Sequence, residues 1–437
     1  MSSELLALIR VDSKASIKNV VAKVRGRPED LSKVELQARR IVETVKRDGD
    51  RALVRYSKEL DGVTLRPKDL RIPKEEVRAA TDRVDPKLAE AMRFALRRVR
   101  RAQGQLLRRI PFSYVSDGFV IRSVVRPLES VGCYIPGGKA SYASTVLMTA
   151  GLAKMAGVKR VVVCSPANRQ GDVGDAVLAA ADIYRVDEVY RMGGAQAIAA
   201  LAYGTESVPR VTKIVGPGGL YVSAAKKIVS ADVPIDFFAG PTEIVVVADS
   251  KADTRLAAWD LMAQAEHGMD GVCCLVTWDA GVATKVKRIV EEVSARLERR
   301  EFVKATLRRG FAIVCNDRVT ASEMVNALAP EHLEILVEDA KGFAETIENS
   351  GLILTGPYAP GAASDYAIGT DHVLPTEGTA RQRAGLTALD FVKVNWVVEG
   401  TKEGLRSLLP SLKELALSEG LPNHFLSVQA RFKKNVK

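Results

Sequence analysis

The chain has 437 residues, 47% of them apolar and 27% charged, a balance that excludes a disordered or fibrous polypeptide and, at roughly 150 residues per domain, calls for more than one packed unit. The formal charge of +11 invites a nucleic-acid partner, but the densest basic run, seven arginines within residues 92–110, carries Phe94, Ala95, Leu106 and Leu107 as an amphipathic helix would. It has no aromatic interleaving for base stacking, so no nucleic acid is expected. Five cysteines without a CxxC pair and no uninterrupted apolar run of some 18 residues suit a reducing compartment and a cytoplasmic protein with no membrane span.

Along the chain, residues 1–114 are rich in Lys, Arg and Glu, with helical apolar spacing at Val34, Ala38, Ile41, Val42 and Val45 before the stop signal Asp48-Gly49-Asp50. They are expected to form helices packed on the core. At 115 the texture changes. Residues 119–125 and 131–135 read as strands, the second ending in Pro136-Gly137-Gly138, and thereafter β-branched runs alternate with alanine-rich helical stretches.

Strands are predicted at 161–164, 188–191, 213–215, 243–248, 272–277, 311–315, 333–337 and 352–354. Helices are predicted at 143–156, 172–181, 196–203, 221–230, 252–267, 283–298 and 321–328. The fold class is α/β: two Rossmann-like parallel-sheet units, 115–236 and 237–378, with a helical N-terminal segment and a helical C-terminal segment, 379–437. The loop after Gly356, rich in Gly, Ala and Ser to about Thr379, is too long for a plain connector and is expected to be functional.

The chain has four histidines, each in a setting that can be read. His267 lies three residues after Gln264, which puts an imidazole and an amide on one helical face. His332 follows Pro330-Glu331 at a strand entry, where an adjacent acid and imidazole suit proton transfer. His372 sits in the long loop together with Asp365, a hard anionic donor. His424 follows Glu419-Gly420-Leu421-Pro422-Asn423. A lone histidine is more often a hydrogen-bonded structural residue than a ligand. Taken together, Gln264, His267, Asp365 and His424 form a mixed N/O set acceptable to zinc or another divalent first-row ion.

No GxGxxG opens a helix after a strand, so the ordinary dinucleotide fingerprint is absent. Two glycine-rich turns replace it, Arg191-Met192-Gly193-Gly194-Ala195-Gln196 and Val215-Gly216-Pro217-Gly218-Gly219. Each frees backbone amides at a helix start, where phosphate oxygens are favoured, although either could be only a tight turn.

These motifs resemble the histidinol dehydrogenase family along nearly the whole chain: 131–138 (VGCYIPGG), 144–148 (STVLM), 193–200 (GGAQAIAA), 216–218, 238–243 (FAGPTE), 264–268 (QAEHG), 329–333 (APEHL), 369–376 (GTDHVLPT) and 419–424. The resemblance implies one zinc per subunit on Gln264, His267, Asp365 and His424, the last reaching over from the other subunit of a homodimer. It implies the pair Glu331 and His332 as the catalytic acid–base residues. Substrate contacts would fall on Thr242, His372 and Glu419 besides Glu331 and the metal ligands, and NAD contacts on Tyr134, Gln196 and Gly219. Two departures stand out: Gly219 replaces the family's asparagine, and Thr242 stands where serine is commoner.

The implied activity is the two-step, four-electron, NAD-dependent oxidation of L-histidinol through L-histidinal to L-histidine, the last step of histidine biosynthesis. A paralogous zinc-dependent polyol dehydrogenase, such as one acting on sulfopropanediol, is the near alternative. A zinc hydrolase is the alternative of another class, since a metal beside Glu331-His332 could activate water. No cysteine nucleophile is needed, and Cys133 reads as a small buried hydrophobe.

Overall fold

The computed structural model describes residues 4–26, 31–137, 142–238 and 240–432, so Gly138 and Ala239 of the quoted motifs lie outside it. Two all-parallel sheets organise these residues. The larger has six strands in the order Ala7–Val11, Phe311–Cys315, Val272–Thr277, Glu243–Ala248, His332–Leu336, Leu352–Thr355. The smaller has four, in the order Glu188–Arg191, Arg160–Ser165, Ser130–Tyr134, Lys213–Val215. Their central strands are buried throughout, as in Ser130–Tyr134 and Glu243–Ala248, which is why they read as continuous apolar runs rather than alternating ones.

Aspartates start three of the helices that cover the larger sheet. Asp253 accepts from Arg255 N ahead of Thr254–Ala265, Asp279 from Gly281 and Val282 N ahead of Ala280–Ser294, and Asp317 from Thr320 N ahead of Arg318–Leu328. Each satisfies amides that would otherwise lack an acceptor in the first turn.

The basic run folds as the helix Pro86–Arg108. Ala89, Met92, Ala95, Val99 and Gln103 are buried at helical spacing, and its arginines are exposed. Arg98 also donates to the carbonyls of Ala367 and Ile368 at 3.0 and 3.5 Å, bracing the long functional loop from outside. Among the described residues, no helix is long and apolar enough to cross a membrane. All five cysteines are free and buried.

Three features depart from the sequence reading. Residues 1–114 are not all helical: Ala7–Val11 joins the edge of the larger sheet beside Phe311–Cys315, its period-two exposure being too short to stand out from helical neighbours. Phe119–Pro127 does not open the first parallel unit. It pairs antiparallel with Ser113–Ser116 and Val392–Gly400 in a separate three-stranded sheet.

The hairpin turns at Asp117-Gly118, both with positive φ, as a two-residue turn of that kind demands. The pairing also gives the supposedly helical C-terminal segment a nine-residue strand. Finally, the predicted helix at 143–156 carries a π-helical stretch, Leu147–Gly151, between two α-helical pieces. Such an inserted residue re-aims the preceding side chains and recurs at functional sites.

Candidate active site

The glycine-rich turns leave the carboxyl ends of the smaller sheet's strands, the usual edge for ligands in open α/β sheets. Gly216 has φ +117, and a Cβ there would collide with the Tyr134 carbonyl oxygen, so a side chain would push the turn off the neighbouring strand. The buried pair Lys226–Asp236 fixes this turn: Asp236 accepts from Gly216 N at 2.7 Å and from Phe237 N at 2.6 Å, while Lys226 donates to Gly216 O at 3.0 Å. Tyr134 accepts from Gly194 N at 3.1 Å, and Gln196 Nε2 donates to Asp61 Oδ2 at 3.3 Å.

Tyr134, Gln196 and the 216–219 turn are therefore neighbours, linked through Gly194 and Gly216. Asp61 is an addition that the sequence did not flag. Burial pushes its carboxyl up to about 6, against the Gln196 hydrogen bond, which pulls it down.

Opposite this edge, the larger sheet presents the amino ends of its strands. Thr242 and Glu331 immediately precede Glu243–Ala248 and His332–Leu336, which are hydrogen-bonded neighbours. Glu331 Oε2 accepts from Thr242 Oγ1 at 2.6 Å and from Glu243 N at 2.7 Å. Gln264 donates its amide N–H to Thr242 Oγ1, which leaves its amide oxygen as the donor atom available to a cation.

His332 is 3% exposed and stands between acids. Its Nδ1 lies 3.3 Å from the Glu243 carbonyl and 3.6 Å from Glu331 Oε2, while Nε2 faces Asp365 Oδ1 at 3.7 Å and has no hydrogen-bond partner. Burial pulls the imidazole down, but the charges and contacts of Glu331 and Asp365 outweigh it and lift the ring to about 10.

Asp365 caps the short helix Gly361–Ser364. Burial raises its carboxyl, but the imidazoles around it, His267 and His332 first, hold it well below the ordinary range. Its Oδ2 lies 3.7 Å from His267 Nε2, beyond hydrogen-bond reach and close to the roughly 3.4 Å that two ligands of one tetrahedral zinc keep. His372 Nδ1 donates to the Asp365 carbonyl at 2.7 Å, and its Nε2 lies 3.4 Å from Thr145 Oγ1. Burial pushes His372 below its ordinary value, which favours the neutral ring, whose Nε2 is the acceptor that Thr145 Oγ1 meets.

A cleft of about 290 Å3 joins the two edges, with Pro217, Gly218 and Gly219 on one wall and Thr242, His267, Glu331, His332, Asp365 and His372 on the other. A second cavity, about 550 Å3, shares His267 and Asp365 with it and adds Gln264. Glu419 and His424 are brought to neither. Both are exposed, one at the end of the helix Lys402–Ser418 and the other in Pro422–Gln429. Among the described residues, no three His, Cys, Asp or Glu side chains gather as a metal cluster; Gln264, His267 and Asp365 line one cavity together. Cys133 is buried and its thiol is pushed far up by that burial, as an inert hydrophobe's would be.

Two parallel sheets facing one cleft, with a buried imidazole held between carboxylates, define an α/β enzyme with an acid–base centre. The sequence profile of the histidinol dehydrogenase family matches residues 25–432. Histidinol dehydrogenase of Methanothermobacter thermautotrophicus is 42% identical over 394 residues, covering 90% of this chain and 92% of its own. That of Gluconobacter oxydans is 42% identical over 412 residues, 94% and 95% of the two chains. The crystal structure of histidinol dehydrogenase from Elizabethkingia anophelis superposes with a TM-score of 0.91 at 32% identity, covering 98% of each chain. The chain belongs to the histidinol dehydrogenase family.

Proposed function

We propose that the chain oxidises L-histidinol through L-histidinal to L-histidine, with Glu331 and His332 as its acid–base residues. The observation that carries this reading is the setting of His332: buried, its Nδ1 turned to a backbone carbonyl and its Nε2 unpartnered in a cleft that ends in two glycine-rich turns. The Nδ1–H donates to the Glu243 carbonyl, which leaves Nε2 as the base facing the substrate hydroxyl.

Gln264, His267 and Asp365 would hold a divalent cation, with His424 of a second subunit completing the set. Their mixed N/O chemistry and the 3.7 Å approach of His267 to Asp365 suit zinc. When bound, the cation supplies a grip on the substrate's nitrogens, and NAD at Tyr134, Gln196 and Gly219 supplies the acceptor for each electron pair.

The residues then divide the work. Glu331 and Asp365 together favour the protonated His332 ring; a cation on Gln264, His267 and Asp365 would take up the share of that charge that Asp365 supplies and would favour the neutral ring. His332 accepts the alcohol proton in the first oxidation. Glu331, fixed by Thr242 and Glu243 N, orients a water for hydration of the retained aldehyde, and His332 serves as base again in the second oxidation. Neutral His372 receives the substrate's imidazole N–H. Glu419, like His424, would reach the substrate from the partner subunit.

The test is an absorbance assay with L-histidinol, zinc and NAD that counts reduced cofactors per substrate consumed. Two support the full reaction; one, or reaction with simple polyols in preference to histidinol, sinks it. Ester or amide hydrolysis without cofactor would favour a hydrolase instead.

A further inference from the structure

Two acids beside the candidate metal site take no part in the chemistry above. Glu334 is the second residue on from His332 along the same strand, so the two side chains share one face of the sheet. It is almost fully buried. Its Oε1 accepts the backbone N–H of Gly361, and a Cβ added to Gly361 would come to 3.0 Å of that oxygen. Its Oε2 is buried and meets no N–H or O–H donor. Glu334 shares the wall of the larger cavity with Asp260, whose carboxyl it faces, one helical turn before Gln264 on Thr254–Ala265.

Glu334 is buried and Asp260 partly so, at the wall of the larger cavity, and two carboxyl groups in hydrogen-bond contact favour a proton between them, because like charges at that distance repel. Glu334 is pushed up to about 9, first by burial and then by the charge of Asp260, and Asp260 is raised by its own burial.

Through these contacts Glu334 ties three elements together: its own strand with His332, the helix Thr254–Ala265 that carries Gln264 and leads into His267, and the short helix Gly361–Ser364. The last link is direct, since the Gly361 carbonyl accepts from Asp365 N at 3.1 Å and from Ser364 Oγ at 2.6 Å.

We propose that Glu334 and Asp260 share one proton and act as a clamp that positions Asp365 against Gln264 and His267. They are positioning residues, not catalytic ones, and the inference rests on the zinc reading of those three side chains. A shared proton suits the task. It holds the elements by a strong acid–carboxylate hydrogen bond and leaves one negative charge, rather than two, beside a cation.

Zinc affinity, measured by competition with a coloured chelator, and hydrogen–deuterium exchange of residues 358–366 in metal-free protein test this together. Glu334→Gln keeps an acceptor for Gly361 N and a donor for Asp260, and is expected to bind zinc within about twofold of wild type with unchanged exchange. Glu334→Ala is expected to weaken zinc binding by about 10- to 100-fold, the usual effect of losing an outer support, and to speed exchange in 358–366. Asp260→Ala is expected to move both readings the same way but less, and it carries the test if Glu334→Ala does not fold.

Wild-type affinity and exchange in the folded alanine variant, or a glutamine variant as impaired as the alanine one, would overturn the clamp while leaving the zinc reading intact. A wild-type chain that binds no zinc would overturn the zinc reading and the clamp's purpose with it, and exchange would still report whether the clamp exists.

Discussion

His332 owes its character to neighbours that its own motif only half supplies. Glu331 is adjacent in sequence, but the opposing charge comes from Asp365 and the acceptor for Nδ1 from the Glu243 carbonyl. His332→Asn keeps the size and the Nδ1-like donor but has no base, so turnover is expected to fall by about a hundredfold or more with zinc and substrate affinity nearly unchanged. Unaltered kcat would remove His332 from the mechanism.

Asp371 gives a separate test of burial. Its Oδ1 accepts from Val373 N at 2.6 Å, Oδ2 is buried without a partner, and burial holds the carboxyl well above its ordinary range. A folded carboxyl that keeps its proton after the unfolded one has lost it makes stability fall as pH rises above about 4. Asp371→Asn retains the acceptor and cannot ionise. The variant is expected to gain on wild type as pH rises, by about 1–3 kcal/mol at pH 8, read as the gap between urea midpoints at pH 5 and pH 8. A gap that does not widen would refute this.

At the scale of an element, the turn 216–219 shows what holds a candidate phosphate loop in shape. Lys226→Met would leave the Asp236 carboxylate buried without its ion partner, although it still accepts two amides, and is expected to cost about 3–5 kcal/mol in unfolding free energy. A loss below about 1 kcal/mol would mean that the pair does not organise the turn.

Gly219, the next residue, has ordinary φ and open space where a Cβ would go, so no steric demand keeps it glycine. Gly219→Asn is expected to cap the helix Leu220–Val229 and to lower the KM for NAD by about 2- to 10-fold, the worth of one hydrogen bond. Unchanged KM would place the cofactor away from this turn.

Much at this scale was legible. The parallel strands, their crossover helices and both glycine turns follow from local periodicity and turn chemistry. Gln264 lies on its helix as its spacing implied, but that helix stops at Ala265, so His267 sits just beyond the end and not on a shared helical face. The antiparallel sheet was not legible, because its register joins residues 119–127 to 392–400, and no local pattern reports a partner that distant. The Asp117-Gly118 turn was the one local signal of its hairpin.

For the whole molecule, the placement of His424 and Glu419 outside both cavities of their own chain motivates the dimer reading. A mixture of His332→Asn and His424→Ala chains tests it. If each site takes His424 from the partner, a mixed dimer has one intact site, and random mixing should restore about a quarter of wild-type activity from two inactive parents. Activity that stays at the parental level would show that no residue is shared across subunits.

The sequence alone determined which chemical groups the protein possesses and the local frames that bear them: four histidines, an acid–imidazole pair at a strand entry, amides freed by glycine, and buried apolar runs that must become parallel strands. These are short-range properties, governed by backbone sterics and by the periods of helix and strand. Only the tertiary structure decided which groups meet. It set the amino edge of one sheet against the carboxyl edge of the other, put Asp365 between His267 and His332, and paired Glu334 with Asp260. Proximity across a hundred residues depends on the summed packing of two cores, and so does the electrostatic field that decides which of those groups carries a proton.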